Sequence, residues 1–337
     1  MTGPVALGLL GAGRIGRVHA RSIAAVEDAH LAAVADPDET AASSVARQTG
    51  ARPASADEVI DDPAIQGVVI ATPTDLHAEQ IESAARAGKP IFSEKPIALS
   101  LDRARRTVSA VARRGVPLMI GFQRRFDPSY RRLREIIDGG EIGDVELVQI
   151  TSRDSAPPRI AFVESSGGLF RDMMIHDFDI ARFLIGEEIV EVAATGSALV
   201  DAAIGAAGDV DTAAAVLRSR SGRLALISNS RRTAYGYDQR VEVHGSRGTV
   251  SAGNPVATTV TRAGESGFAT DPLSDSFVDR FSDAYRLEIE AFCDLVNGGE
   301  VDYPDGTDGL VSLAIADAAT RSLETGRSVA VADPTGP

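Results

Sequence analysis

The feature that most constrains this chain is a short apolar run, Val5–Leu10, that breaks into Gly11-Ala-Gly13-Arg14-Ile15-Gly16 and then takes up helical spacing over Ile15–Val26. Glycines at these three positions satisfy G-x-G-x-x-G, a spacing that by itself often just closes a tight turn. Here a strand precedes it and a helix follows it. Asp36 stands roughly twenty residues on, after the second apolar run Leu31–Ala35. That context points to a dinucleotide site. Gly11 permits the turn, Gly13 lets backbone approach a pyrophosphate, and Gly16 lets helix pack on strand. The helix N-terminus then favours phosphate charge. A carboxylate at Asp36 accepts from ribose hydroxyls and repels a 2′-phosphate, so NAD is expected over NADP. Arg14 complicates this, because a guanidinium can partner a phosphate.

The same grammar continues. Apolar runs at Val68–Ala71, Pro90–Ser93 and Val116–Gly121 alternate with helical spacing at Glu39–Thr49, Leu76–Ala87 and Leu101–Arg114. Such alternation means βαβ units and a parallel sheet. After Gly121 and one more helix, Tyr130–Asp138, the pattern changes. Val145–Arg153, Val190–Val200, Ala213–Arg218, Arg223–Arg231, Gln239–His244 and Thr249–Ser251 are short strands divided by turn pairs such as Ser221-Gly222 and Gly245-Ser246. They read as an antiparallel meander, with Gly264–Asp275 as a mobile loop. Helices at Asp283–Val296 and Gly309–Glu324 close the chain. The expected fold is α/β: a doubly wound Rossmann domain with a parallel sheet over 1–122, which should bind dinucleotide, then an α+β domain over 123–337 built on an antiparallel sheet.

Composition excludes several classes. Lys plus Arg is 34 and Asp plus Glu is 48, a formal charge of −14, which argues against general affinity for nucleic acid or anionic membranes. One cysteine, Cys293, leaves no disulfide framework and no Cys-rich zinc site; it reads as a small buried residue in a helix. No histidine has a partner at metal-ligand spacing, so no metal is expected. No apolar stretch is long enough to span a bilayer. The N-terminus has neither a basic start nor a signal-peptide cleavage pattern, so the expected location is cytoplasmic.

Two further segments sit where parallel strands end, the place where such sheets bind ligands. One is Ala71-Thr72-Pro73-Thr74-Asp75-Leu76-His77; the other is Ser93-Glu94-Lys95-Pro96. Proline after Lys95 restricts that residue's backbone and so its aim. Farther on, Asp172, His176 and Asp179 are spaced i, i+4, i+7, one face of a helix. An Asp one turn from a His holds its tautomer and favours the imidazolium, and histidine ordinarily titrates near pH 6.5, where a general base is useful. The bland alternative is a solvated helix face. The apolar neighbours Leu169, Phe170, Met173, Ile175 and Phe178 argue against it. His19 reads as a packing residue and His30 as surface. Tyr235 and Tyr237 would share one face of a strand, for packing or for substrate. Arg231, Arg232 and Arg240 could form an inter-subunit set.

With these residues in hand, the sequence resembles the glucose–fructose oxidoreductase/inositol dehydrogenase family along nearly its whole length. The carrying motifs are Gly11–Gly16, Thr72-Pro73 with His77, Glu94-Lys95-Pro96, and the run from Gly168 to Asp179 containing Asp172 and His176. Stretches at 122–127, 151–154, 231–240 and 243–254 look like its inositol-oxidising branch. The resemblance implies catalytic roles for Lys95, Asp172 and His176. It implies cofactor contacts from Gly11, Gly13, Arg14, Ile15, Gly16, Asp36, Thr72, Pro73, His77, Glu94 and Lys95. Contacts to ring hydroxyls would come from Arg124, Asp154, Asp179 and Tyr235. Met174 stands where that branch often carries Thr, and Asp154 where some members carry Asn. The implied activity is NAD-dependent oxidation of a secondary ring hydroxyl of a cyclic polyol, first myo-inositol, alternatively scyllo-inositol or a cyclic sugar such as glucose. A non-catalytic dinucleotide sensor is the rival from another class. The family also implies that the sheet of the second domain is large and open-faced, that this domain binds substrate, and that a homotetramer assembles through the sheet.

Overall fold

The structure is a computed structural model that describes residues 3–334. The chain begins with β1 (Val5–Leu10), α1 (Arg14–Ala25), β2 (Ala29–Ala35), α2 (Glu39–Thr49), β3 (Arg52–Pro53), α3 (Ala56–Asp61), β4 (Gly67–Ile70), α4 (Thr74–Arg86), β5 (Ile91–Ser93), α5 (Leu101–Ala112) and β6 (Leu118–Ile120). These strands form one parallel sheet in the order β3-β2-β1-β4-β5-β6. That is the doubly wound order expected from the alternating sequence. All six residues of β1 are buried, as a sheet covered on both faces requires. Local signals set the helix ends. Asp38 caps α2 by accepting from the Thr40 and Ala41 N–H groups, and Ser55 with Glu58 forms a capping box on α3. The two-residue β3 and the single-turn-scale α3 went unread, because periodicity needs a longer window.

The chain continues through α6 (Pro128–Asp138), β7 (Val145–Arg153), α7 (Ile160–Ser166), α8 (Leu169–Asp172), α9 (Ile175–Ile185), β8 (Ile189–Ser197), α10 (Ala202–Ala206), β9 (Thr212–Ser219), β10 (Leu224–Ser230), β11 (Asp238–Gly245) and β12 (Gly248–Ala252). Then come β13 (Thr261–Gly264), β14 (Gly267–Thr270), α11 (Phe277–Arg280), α12 (Ser282–Val296), α13 (Gly306–Thr325) and β15 (Val329–Ala330). The second sheet has seven strands in the order β12-β11-β7-β10-β9-β8-β15. It is antiparallel-rich but not a meander: β10 lies parallel to β7, which sits between β11 and β10. Burial alternates along it. Ala213, Ala215 and Leu217 of β9 are buried, while Val216 between them is exposed; Leu224 and Leu226 of β10 are exposed too. One face is therefore packed and the other open. The first part of the segment expected as a mobile loop, Gly264–Asp275, instead forms the turn and second strand of a hairpin, β14 against β13.

Two compact units result. The first runs to Asp127 and takes back Ser282–Leu313; the second holds Pro128–Phe281 and Ala314–Ala332. A single cut at 122/123 does not describe that return of the chain. The long helix α12 completes the first unit's core, where Ile289, Phe292 and Cys293 join Leu7, Leu9 and Phe92. Burying each such large side chain stabilises by roughly 1.5–3 kcal/mol. Burial also pushes the Cys293 thiol up to about 12, as an inert packing cysteine requires.

Candidate active site

In the first unit the loop after β1 fits a dinucleotide. Gly11 has φ 98°, a left-handed conformation, and a Cβ there would lie 2.5 Å from the Ala71 carbonyl oxygen. A Cβ on Gly16 would lie 2.0 Å from the Gly11 carbonyl oxygen, so only glycine lets α1 start against this turn. Gly13 faces open space and is the N-cap of α1, with no side chain capping the helix. Those first-turn N–H groups are the donors a pyrophosphate would take, with Arg14 and Ile15 at the helix start. Asp36 closes the other side. One of its oxygens accepts the Ala12 N–H at 2.6 Å and the other the Asp38 N–H at 2.8 Å. A carboxylate has about four acceptor positions, so capacity remains for a ribose diol.

The next two strand ends meet at His77. Thr72 donates its hydroxyl to Gln80, and Pro73 caps α4. His77 is buried, with Nδ1 2.9 Å from the Pro96 carbonyl and Nε2 2.8 Å from the Thr72 carbonyl. Burial holds its pKa below the ordinary value. A neutral imidazole donates to only one of these carbonyls, so the ring hydrogen-bonds one of the two segments, the Thr72 loop or the Glu94-Lys95-Pro96 turn, and packs against the other. Within Ile91–Ala98, Lys95 alone is not buried, so its side chain leaves the core while its neighbours stay in it. The Lys95–Pro96 bond is cis. Glu94, expected to face a cofactor, is buried; its Oε1 lies 2.8 Å from His19 Nε2, and its Oε2 accepts the Lys95 main-chain N–H at 3.3 Å. Arg124 is buried in the 3-10 turn Gln123–Phe126.

In the second unit the Asp172–His176–Asp179 segment is not one continuous helix. Helix α8 ends at Asp172, Met173 and Met174 interrupt, and α9 begins at Ile175. The backbone shows the reset: Met173 and Met174 both donate to the Leu169 carbonyl, and Phe178 then donates to that of Met174. Asp172 and His176 are half-buried at this break, while Asp179 is buried on α9. Met174 is fully buried at the start of α9. Asp177 anchors α9 to the sheet, accepting from Ser152 at 2.6 Å and Asn229 at 2.7 Å. Asp172 receives two guanidinium nitrogens of Arg231, each at 3.3 Å. The same Arg231 lies 3.9 Å from Asp154. The parallel β7–β10 pairing explains this meeting: Arg153 is in register with Ser230, so Asp154 and Arg231 leave the sheet side by side.

Tyr235 and Tyr237 do not share a strand face. Both precede β11 in a loop; Tyr237 is buried against Phe277 and Phe281, whereas Tyr235 is 56% exposed. Its hydroxyl donates to Asp238 at 2.9 Å, and burial with that carboxylate holds the phenol above its usual range. With Arg153, Ser230 and Arg232 it lines a cleft of about 330 Å³.

Comparison with known proteins agrees with this geometry. Residues 5–122 match an oxidoreductase family's NAD-binding Rossmann fold, and residues 134–331 its C-terminal alpha/beta domain. The chain belongs to the GFO/IDH/MocA oxidoreductase family. It is 49% identical over 328 residues to the inositol 2-dehydrogenase of Rhizobium meliloti (strain 1021), covering 97% of this chain and 99% of that protein. The myo-inositol dehydrogenase of Corynebacterium glutamicum superposes with a TM-score of 0.93 at 38% identity, covering 98% and 99% of the two chains. The scyllo-inositol dehydrogenase of Lactobacillus casei, solved with NAD(H) and scyllo-inositol, superposes with a TM-score of 0.91 at 33% identity, covering 98% and 100%.

For a GFO/IDH/MocA oxidoreductase the first unit is an NAD-binding domain, and the Gly11 turn with Asp36 fits that cofactor. Sequence reasoning missed what holds the chemistry-bearing residues of this family member. The sequence left Arg231 open to an inter-subunit set with Arg232 and Arg240, yet in this chain it is 2% exposed and braces Asp172. His19 was read as packing and does pack, but it also grips Glu94. The local signal for Arg231 was its position directly after a strand that runs parallel to β7, and that pairing is not written locally.

Proposed function

We propose that this GFO/IDH/MocA oxidoreductase is an NAD-dependent inositol 2-dehydrogenase that oxidises a secondary ring hydroxyl of a cyclic polyol, first myo-inositol to 2-keto-myo-inositol (scyllo-inosose). The observation that carries the reading is the Asp172–Arg231–Asp154 cluster beside His176 in a chain that also carries the Gly11–Asp36 cradle. The bound NAD supplies a hydride acceptor. His176 takes the hydroxyl proton as the carbonyl forms. Asp172 orients the ring of His176 and stabilises its charged form, with Arg231 fixing the carboxylate. Lys95 donates to the substrate oxygen and offsets charge developing there. Gly11, Gly13, Arg14, Ile15 and Gly16 take the pyrophosphate, and Asp36 the ribose. Thr72, Pro73 and His77 set the wall opposite that cradle, His77 acting through the two loops it lies between. Glu94 acts in the same way, through Lys95.

Arg124, Asp154, Asp179 and Tyr235 read the ring hydroxyls. A site built on such groups rejects analogues lacking them, because buried polar groups are then left unpaired. Scyllo-inositol is the second reading, favoured by the Lactobacillus casei relative, which was solved with that ligand. The same reading makes the protein a cytoplasmic homotetramer of polyol catabolism. Its support is the open sheet face with Val216, Leu224 and Leu226 exposed, apolar surface that a partner subunit would cover. The test is NADH absorbance with NAD and myo-inositol, scyllo-inositol, glucose or sorbitol. Highest kcat/KM on an inositol supports the reading; sorbitol as best substrate, or no oxidation of any, overturns it.

A further inference from the structure

Helix α12 places a carboxyl group in the middle of an apolar stripe. Ala284, Tyr285, Ile289 and Phe292 are buried there, and Glu288 among them has no exposure at all. Neither Glu288 carboxyl oxygen has a hydrogen-bond partner among the described residues. An ionised carboxylate without a partner in such a core is strongly unfavourable. Burial, and after it the negative charge of Glu94, pushes the Glu288 pKa well above the ordinary range.

Glu94 is differently placed. It faces His19 Nε2 at 2.8 Å and the Lys95 main-chain N–H at 3.3 Å. His19 is itself fully buried, edge-on to Phe92 and to Tyr285, which lies one turn before Glu288. A Cβ on Gly121 would sit 3.3 Å from the Glu94 carboxyl, so that strand end leaves just enough room for it. Two buried acids thus share one neighbourhood, and hydrogen bonds exist for one of them. We propose that His19, Glu94 and Glu288 form one buried positioning cluster for Lys95, in which the two carboxyl groups share a single negative charge: Glu94 carries the charge and Glu288 the proton. This rests on the reading that Lys95 acts on the substrate oxygen.

Several elements pack against α12 or bring charge to Glu288. Helix α1 brings His19, the turn after β5 brings Glu94, and the 3-10 turn packed on α12 carries buried Arg124 and half-buried Arg125, the latter paired with Asp308. Helix α12 itself adds Tyr285 and the half-exposed Arg286–Glu290 pair. With Glu288 proton-bound in the native state and ionised in the unfolded chain, stability falls as pH rises from the ordinary glutamate pKa towards the folded one.

The experiment compares the full-length enzyme with Glu288→Gln, which keeps the shape and removes the proton, by calorimetric unfolding from pH 5 to pH 8. The melting temperature of Glu288→Gln should gain on wild type by roughly 2–3 °C per pH unit, the mark of one linked proton, or about tenfold in the unfolding constant. Parallel profiles overturn the shared charge. For positioning, His19→Leu should lower kcat by roughly tenfold or more with little change in KM for the polyol, and His19→Gln, which retains an N–H donor, should restore most of it. Wild-type kcat in His19→Leu overturns the positioning role. Lys95→Ala is run alongside: wild-type turnover there would sink the catalytic reading of Lys95 instead, and the unfolding result does not depend on it.

Discussion

The two units build their functional residues in opposite ways. In the first, Gly11, Asp36, Thr72 and Glu94 all stand at the carboxyl ends of parallel strands, and each of the last three makes a contact that involves a main-chain group. Strand order alone brings them to one edge. In the second, Asp154, Asp172 and Arg231 come from a strand end, a broken helix and another strand end, and side-chain charges hold them. A site at strand ends is readable from local motif. A site of long-range ion pairs is not.

The largest test of that contrast is loss of the proposed acid–base and electrophilic groups. Lys95→Ala and His176→Ala should each lower turnover by about 10²–10⁴-fold. Calorimetric titration with NAD should be nearly unchanged for His176→Ala, whose residue lies in the second unit. Near-wild-type turnover of His176→Ala across pH would remove it from the mechanism.

Next comes the brace. Arg231→Met keeps much of the side chain's volume and removes the charge shared by Asp172 and Asp154. Breaking a buried pair by removing one partner costs roughly 3–5 kcal/mol, and the partial exposure of Asp172 brings this towards the lower figure. Denaturant unfolding should show that loss, and kcat should fall roughly 10–10²-fold. If stability and kcat both match wild type, the ion pair is incidental.

These cases show what local sequence carries. Gly11, Gly16 and Asp36 were legible because a turn, a helix start and a strand end constrain each other within one βαβ unit. Lys95 was legible because proline follows it at a strand end. The partners were not. His19 and Glu94 are 75 residues apart, and Arg231 and Asp172 are 59 apart. No periodicity encodes such pairs, and the parallel β7–β10 register that sets Asp154 beside Arg231 is decided by the whole sheet. The i, i+4, i+7 pattern of Asp172, His176 and Asp179 implied a straight helix. The break at Met173–Met174 follows from backbone bonds to Leu169 that spacing cannot reveal.

A smaller effect is expected at Asp36. Its carboxylate favours ribose hydroxyls over a 2′-phosphate, so wild type should use NAD far better than NADP. Asp36→Ala should narrow the ratio of kcat/KM values by roughly tenfold, about 1.4 kcal/mol. Equal wild-type efficiency with both cofactors would mean that Arg14, not Asp36, decides.

The smallest effect probes a buried histidine of the first unit. His77 lies between two main-chain carbonyls, a neutral ring donating to one of them, and burial lowers its folded pKa. The sign follows from linkage. The unfolded chain takes up a proton near pH 6.5 while the native ring resists it, so this stability is present above that pH and is lost as pH falls towards the folded value. The slope is at most about 1.4 kcal/mol per pH unit. His77→Gln keeps a donor for one carbonyl and does not titrate. It should melt below wild type at pH 7.5, with the gap narrowing as pH drops to 5. A gap that stays constant would show that the ring stays neutral in both states, or that protonation of the native ring keeps pace. Either way this contact of the first unit would be purely geometric.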